Sequence, residues 1–138
     1  MKFLVMVAAT PKNMKSFQGK LETKLYDDYL LQWLNEDKEY NPRGYIAIND
    51  GKTVGFILLR DAVDELTHNK CVYIAFIYVC PSARNGKVGN SLLDNVKKAE
   101  RNNIVCYPLD KSIPFFLKNG FIFTKLRDDD MMVYDRKV

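Results

Sequence analysis

From Phe3 to Ala8 the chain is apolar and β-branched with no helical period, which predicts a strand. Thr10 and Pro11 then have the form of a helix start, with threonine as N-cap and proline at the first helical position. One or two helices are expected over residues 11–38, with Leu21, Leu25, Leu30, Leu31 and Leu34 as an apolar stripe and Tyr26, Tyr29 and Trp33 packed beside it. Asn41-Pro42-Arg43-Gly44 reads as a turn. The apolar runs 45–49 and 53–60 flank Asn49-Asp50-Gly51-Lys52, a tight-turn sequence that predicts a β-hairpin. Residues 61–70 are polar and read as a connection. Residues 71–80 are apolar throughout, the pattern of a central strand buried on both faces, and Pro81 ends it.

Helical spacing returns at about residue 88 and runs to about 101. Val88, Leu92, Val96 and Ala99 share one face, with Asp94, Lys97, Lys98 and Arg101 on the other. Asn102-Asn103 suits its C-terminal end. Ile104 to Tyr107 read as a short strand closed by Pro108. A short helix follows, capped by Asp110 or Ser112, with Pro114 in its first turn and Gly120 as its stop. Residues 121–127 and 131–135 are expected to pair across Asp128-Asp129-Asp130. The order β-α-α-β-β-β-α-β-α-β-β, without repeat or linker, predicts a single α+β domain over residues 1–138 built on a mixed sheet.

Composition narrows the function classes. A chain of 138 residues can bury one stable core without metal or disulfide support. The net charge of +4 comes without the dense Lys/Arg stripe of a nucleic-acid binder, but it suits a local patch for a polyanionic ligand. Cys71, Cys80 and Cys106 are odd in number and sit in apolar runs, so they read as buried, reduced thiols of a cytoplasmic protein. With no C-x-x-C pair and His68 as the single histidine, no metal site is expected, and a Cys–His nucleophile would have to use His68. The N-terminal apolar run is at the short end for a signal sequence and reads as a strand, and no run reaches membrane-spanning length. A soluble cytoplasmic protein, monomer or homodimer, is the expectation.

The chemistry concentrates between the strand at 71–80 and the helix at 88. Arg84, Asn85, Gly86, Lys87, Val88 and Gly89 form a basic, glycine-containing turn leading straight into a helix. Backbone N–H groups and the positive helix end would converge there, with Arg84 and Lys87 adding full charges, an arrangement suited to a phosphate group. The two glycines permit close backbone approach and positive φ. The run Val79-x-Pro81, Arg84, Gly89, Leu92-Leu93 resembles the acyl-CoA-binding motif of the GCN5-related N-acetyltransferase (GNAT) family, Q/R-x-x-G-x-G/A after a strand ending in Val-x-Pro. It departs at Lys87, where glycine is usual, with Gly86 one residue earlier. A second block, Ser112-Ile113-Pro114-Phe115-Phe116-Leu117-Lys118-Asn119-Gly120-Phe121, resembles the family's A-I-x-F-Y-x-K-x-G-F segment.

The resemblance implies a mixed, largely antiparallel sheet flanked by helices, with acetyl-CoA lying where the strands at 71–80 and 104–107 splay apart. It implies that backbone groups of Ile77, Tyr78 and Val79 hold the pantetheine arm, that the Val79 N–H polarises the thioester, that residues 84–90, including Asn90, hold the pyrophosphate, and that Phe115 and Phe116 pack on the arm. A small-molecule or protein amine would be the acceptor. The usual tyrosine acid of the second block is replaced by Phe116, and the asparagine often found before the block by Leu109. Counting by twos from Val79 puts Ile77, Ala75 and Tyr73 on one face, of which only Tyr73 titrates. Asp61, Asp64, Glu65 and His68 are further base positions, and Tyr107 and Tyr134 further acids. The acceptor pocket is expected from residues 10–44 and the 61–70 connection. A non-catalytic CoA-binding or protein-interaction member of the same fold is the alternative; a dinucleotide-binding domain ranks last, because the chain has no G-x-G-x-x-G.

Overall fold

The structure, a computed structural model, describes residues 4–64, 67–84, 86–123 and 130–136. The strands are β1 (Val5–Ala9), β2 (Arg43–Asn49), β3 (Lys52–Val63), β4 (Lys70–Val79), β5 (Ile104–Cys106), β6 (Ile122–Phe123) and β7 (Met132–Tyr134). The helices are α1 (Pro11–Met14), α2 (Lys24–Leu34), α3 (Val88–Ala99) and α4 (Ile113–Lys118). The seven strands form one sheet in the order β1-β2-β3-β4-β5-β7-β6, antiparallel everywhere except between β4 and β5. This is the mixed, largely antiparallel sheet expected.

Local chemistry sets the boundaries. Thr10 Oγ1 accepts from the Asn13 N–H at 3.1 Å and Asn13 Oδ1 accepts from the Thr10 N–H at 2.8 Å, a reciprocal cap that starts α1 at Pro11. Thr23 caps α2 through the Tyr26 N–H at 3.1 Å. In the β2–β3 hairpin Asp50 and Gly51 both have positive φ, 52° and 76°, the backbone twist that lets a two-residue turn join right-twisted strands.

The sheet buries a different kind of core on each face. On one side α3 lays Leu92, Leu93 and Val96, all fully buried, on Ile57, Leu59, Val72, Ile74 and Ile104. Each such leucine stabilises the fold by about 1.5–3 kcal/mol relative to exposure. On the other side α2 sets Leu30 and Trp33 against Phe56, Leu58, Phe76 and Tyr78. Buried Trp33 donates its indole N–H to the Leu59 carbonyl at 2.9 Å, so its one polar atom is satisfied.

Several expectations are corrected. The inner face of α2 is Tyr26, Tyr29, Leu30 and Trp33, while Leu25 and Leu31 are exposed; Thr23 fixes the helix start, and the three-and-four spacing of the aromatics then meets the sheet. The 61–70 connection is shorter than predicted, because β3 runs to Val63 and places Asp61 in register with Val72. Arg43 holds Asp61 at 2.8 Å and Glu100 at 2.6 Å, which accommodates charge within a strand. Glu100 ends α3 before Asn102-Asn103. Ser112 makes no side-chain cap; a 3-10 turn over Asp110–Ser112 leads into α4 instead. Cys71 and Cys106 are buried free thiols, but Cys80 falls just past the end of β4 and is half-buried. The predicted positions Glu65, Asn85, Asp128, Asp129 and the strand beyond Phe123 lie outside the described residues.

Candidate active site

The site begins where the one parallel pair in the sheet fails. β4 and β5 match only at Val72 with Ile104 and Tyr73 with Val105. β5 stops at Cys106, with Pro108 unable to donate to a ladder, while β4 continues to Val79. Beyond Tyr73 the edge of β4 therefore faces a gap. Cys80 donates its N–H to Val54 O of β3 at 2.8 Å. Alternate residues of a strand turn their backbone groups to opposite edges, so Val79 and Ile77 present theirs to the gap and Tyr78 turns its own to β3. Of the three residues expected to offer backbone groups there, Tyr78 contributes its ring instead.

A bulge falls in the same stretch. Leu58 pairs with Phe76 and Leu59 with Ile74, leaving Ala75 as the extra residue. The period-two count from Val79 consequently breaks at Ala75. Ile77 and Val79 pack with Val72 and Ile74 on the α3 side, while Phe76 and Tyr78 face α2. Tyr73, expected to share the face of Val79, lies on the opposite one.

The gap opens into a cavity of about 610 Å³. Residues Tyr73 to Val79 of β4 form one wall, α2 forms a second through Tyr26, Tyr29, Gln32 and Trp33 with Glu36 just past its end, and Cys106 to Leu109 with Lys111, Ser112 and Phe116 form a third. Arg60 of β3 and Arg84 complete it. Lys111 Nζ donates to the Tyr26 hydroxyl at 2.8 Å, linking two walls. The Arg60 guanidinium lies 4.4 Å from the Tyr73 ring centre and 3.5 Å from the Glu36 carboxylate. Glu36 is the one carboxylate among the described lining residues.

Of the basic turn, Arg84 lines the cavity. Arg84 donates Nε–H to the Val79 carbonyl at 2.9 Å and pairs with Glu22, whose carboxylate raises the Arg84 pKa. Lys87, exposed, occupies the N-cap of α3 and makes no side-chain cap bond. The first N–H groups of this 12-residue helix, from Val88, Gly89 and Asn90, thus have no side-chain cap at the positive end of the helix dipole. Contrary to expectation, neither Gly86 nor Gly89 has positive φ. Gly89 packs closely on α4: a Cβ there would stand 3.1 Å from the Phe115 ring, which would have to give by a few tenths of an ångström. Val88 is buried in the core, leaving its backbone as its only contribution, and Asn90 accepts from Asn119 at 3.1 Å. Phe116 is a buried cavity wall, whereas Phe115 packs on Gly89 outside the lining.

The titratable positions sort by distance from the cavity. Tyr73 and Tyr107 line it, their rings edge-to-face at 6.1 Å. Burial raises the Tyr73 pKa above the usual phenol value, the wrong direction for a base. Asp61 is held by Arg43, and neither it, Asp64 nor His68 lines the cavity. Tyr134 packs on Phe121 under Lys97, also outside the cavity. Sequence reasoning missed Glu36 and Arg60. The four-and-three spacing of Tyr29, Trp33 and Glu36, continued past the end of α2, is the signal that points to Glu36; Arg60 has none.

The pattern of the acetyltransferase (GNAT) family matches residues 8–121. The chain belongs to this family. Comparison with curated proteins returns no match. Among solved structures it is similar to the Bacillus subtilis N-acetyltransferase YlbP in complex with coenzyme A, at 17% identity and TM-score 0.66 over 99% of this chain and 98% of that one. It is also similar to Arabidopsis thaliana Naa50 in complex with a bisubstrate analogue, at 19% identity and TM-score 0.63 over 94% and 95%. A Clostridium acetobutylicum predicted acetyltransferase with acetyl-CoA matches at 16% identity and TM-score 0.66 over 91% and 94%. At these identities the GNAT fold is what is shared. Among the described residues no helix is long and apolar enough to cross a membrane.

Proposed function

We propose that this GNAT-family chain is a single-domain N-acetyltransferase that moves an acetyl group from acetyl-CoA to a primary amine by direct attack in a ternary complex. The observation that carries the reading is the splay of β4 from β5 past Tyr73, which opens a cavity beside unmatched strand backbone, with Arg84 in its lining and the N-terminus of α3, which no side chain caps, a few residues further along the chain. The residues present fit the cosubstrate. Ile77 and Val79 offer backbone groups of the right kind for the amides of a pantetheine arm. The N-terminal N–H groups of α3 with Lys87 suit a pyrophosphate, and apolar Phe116 suits the arm's methylenes.

Acetyl-CoA supplies an activated thioester. The chain's part is positioning and charge stabilisation: the Val79 N–H serves as an oxyanion donor, and the cavity walls orient the amine. Val79 can do this because Arg84 bonds its carbonyl and holds the end of β4. Arg84 therefore acts chiefly by fixing the β4 terminus, while Lys87 meets phosphate. The GNAT neighbours with bound coenzyme A or acetyl-CoA support the cosubstrate by analogy of fold. A cytoplasmic setting agrees with the free thiols Cys71 and Cys106.

Calorimetric titration with acetyl-CoA tests the reading. Wild-type protein should bind in the micromolar range, Lys87→Ala should weaken binding several-fold, and thiol release should follow addition of an amine. Absence of binding to folded protein would reject it. One observation favours a second reading, a non-catalytic member that keeps the fold as a scaffold. Among the described residues of β4 none is a carboxylate or histidine, and Phe116 cannot donate a proton. Turnover of any amine would reject that alternative.

A further inference from the structure

Five tyrosines line the cavity, and one of them stands close to Val79 with a cation on its hydroxyl. Tyr73, with Tyr107 against it, is the last matched residue of β4 and lies about 20 Å along the strand from Val79. Tyr26 is nearer. Its ring is 5.7 Å from those of both Phe76 and Tyr78, the side chains on either side of Ile77, so it lies level with Ile77. That is within two strand residues of Val79, less than about 7 Å along β4. Lys111 Nζ holds the Tyr26 hydroxyl at 2.8 Å, joining the α2 wall to the wall that leads into α4. An ammonium can only donate, so the phenol oxygen is the acceptor in this bond. The phenol O–H is therefore directed elsewhere, and no acceptor takes it among the described residues. The other charges nearby are engaged, since Arg84 holds both Glu22 and the Val79 carbonyl. Phe116, on the same wall as Lys111, has no proton to give.

Resting on the acetyltransferase reading, we propose that Tyr26 is a catalytic acid and that Lys111 acts through it as a positioning residue and proton reserve. The thioester sulphur is bonded to the same carbon as the oxygen that the Val79 N–H receives, so it falls in the span that Tyr26 covers. The neutral amine forms a C–N bond to that carbon, and the C–S bond breaks. The sulphur leaves with the Tyr26 proton, as the thiol of coenzyme A. Lys111 passes a proton to the phenolate and regains one from water, to which it is exposed. The amide nitrogen gives its surplus proton to water, so the exchange with solvent balances.

The test compares coenzyme A with desulfo-coenzyme A, titrated by calorimetry into wild-type, Tyr26→Phe, Lys111→Met and Lys111→Arg proteins at pH 7 and pH 9. A thiol ionises at about pH 8.5 in water, and the thiolate accepts from a phenol O–H far more strongly than the thiol does. The advantage of coenzyme A over the desulfo compound should therefore grow about threefold or more from pH 7 to pH 9 in wild type. Tyr26→Phe should abolish that growth and Lys111→Met should reduce it. Lys111→Arg, which keeps a donor-only cation, should restore most of it. With acetyl-CoA and hydroxylamine, Tyr26→Phe should release thiol about tenfold or more slowly than wild type while binding acetyl-CoA equally well. A wild-type ratio that stays flat with pH, or a pH rise or release rate unchanged in Tyr26→Phe, would overturn the proposal. If neither compound binds folded wild-type protein, the acetyltransferase reading falls and the acid with it. If both bind with a flat ratio, only the acid falls.

Discussion

The two faces of the sheet are built from the same strands but to different ends. Under α3 the core is mainly aliphatic and its helical side chains are fully buried: Leu92, Leu93 and Val96 fill the space against Ile57 and Leu59. Under α2 the core is aromatic and incomplete: Tyr26, Tyr29, Phe76 and Tyr78 meet as tilted and edge-on rings, and the space they leave is part of the cavity. Aliphatic side chains interdigitate to crystal-like density, whereas a rim of stiff rings with polar tips tolerates a gap and offers it a chemical lining. One face supplies stability and the other a site.

Substitutions can sharpen or break this contrast. The largest effect is expected from Leu92→Ala, a loss of about 2–5 kcal/mol in urea unfolding, because a fully buried aliphatic contact becomes a void. Cys106, packed on the same side, gives a pH test. Burial pushes its thiol up to about 12, against 9.0 when unfolded. Below pH 9 the thiol is neutral in both states and its contribution is fully present. Between pH 9 and 12 only the unfolded chain ionises, so stability should fall by at most about 1.4 kcal/mol per pH unit. A Cys106→Ala variant lacking that slope would assign it.

On the aromatic side Trp33→Phe should cost about 1–3 kcal/mol, since the Leu59 carbonyl loses its buried donor. A cost equal to that of Leu92→Ala would erase the distinction between the faces. Tyr26→Phe should change unfolding stability by less than about 1 kcal/mol yet alter KM, because the hydroxyl it removes holds Lys111 across the cavity. A stability loss without a kinetic effect would mean that the link is structural only. The smallest effect is expected from Lys24→Ala on the outside of α2, where the exposed pair with Asp28 at 3.1 Å is worth at most about 0.5 kcal/mol.

Much of the aliphatic face was readable in advance. The three-four spacing of Val88, Leu92 and Val96 gave α3 and its inner side, and Asn49-Asp50-Gly51-Lys52 gave the hairpin. The cap at Thr10 and the element order were equally legible. The aromatic face was misread because leucines and aromatics in α2 compete for the inner side by spacing alone, and the decision fell to the ring-rich strand opposite. Gly89 reads in the sequence as a turn residue permitting close backbone approach and positive φ; it lies in α3 without positive φ, and what approaches it is Phe115 from α4, a neighbour distant in the chain.

The sequence by itself determined the alternation of elements, the central place of β4, the break at Pro81 and the basic entry to α3, since these follow from local periodicity, turn chemistry and charge. Tertiary structure alone decided which way β4 faces. The bulge at Ala75 shifts the side-chain count by one and sends Tyr73 to the α2 side, a change no period-two reading contains. It also decided that Arg60 of β3 and Glu36 beyond α2 meet in the lining of the cavity. Those two charges meet only because the sheet brings together strand and helix ends that the chain keeps apart.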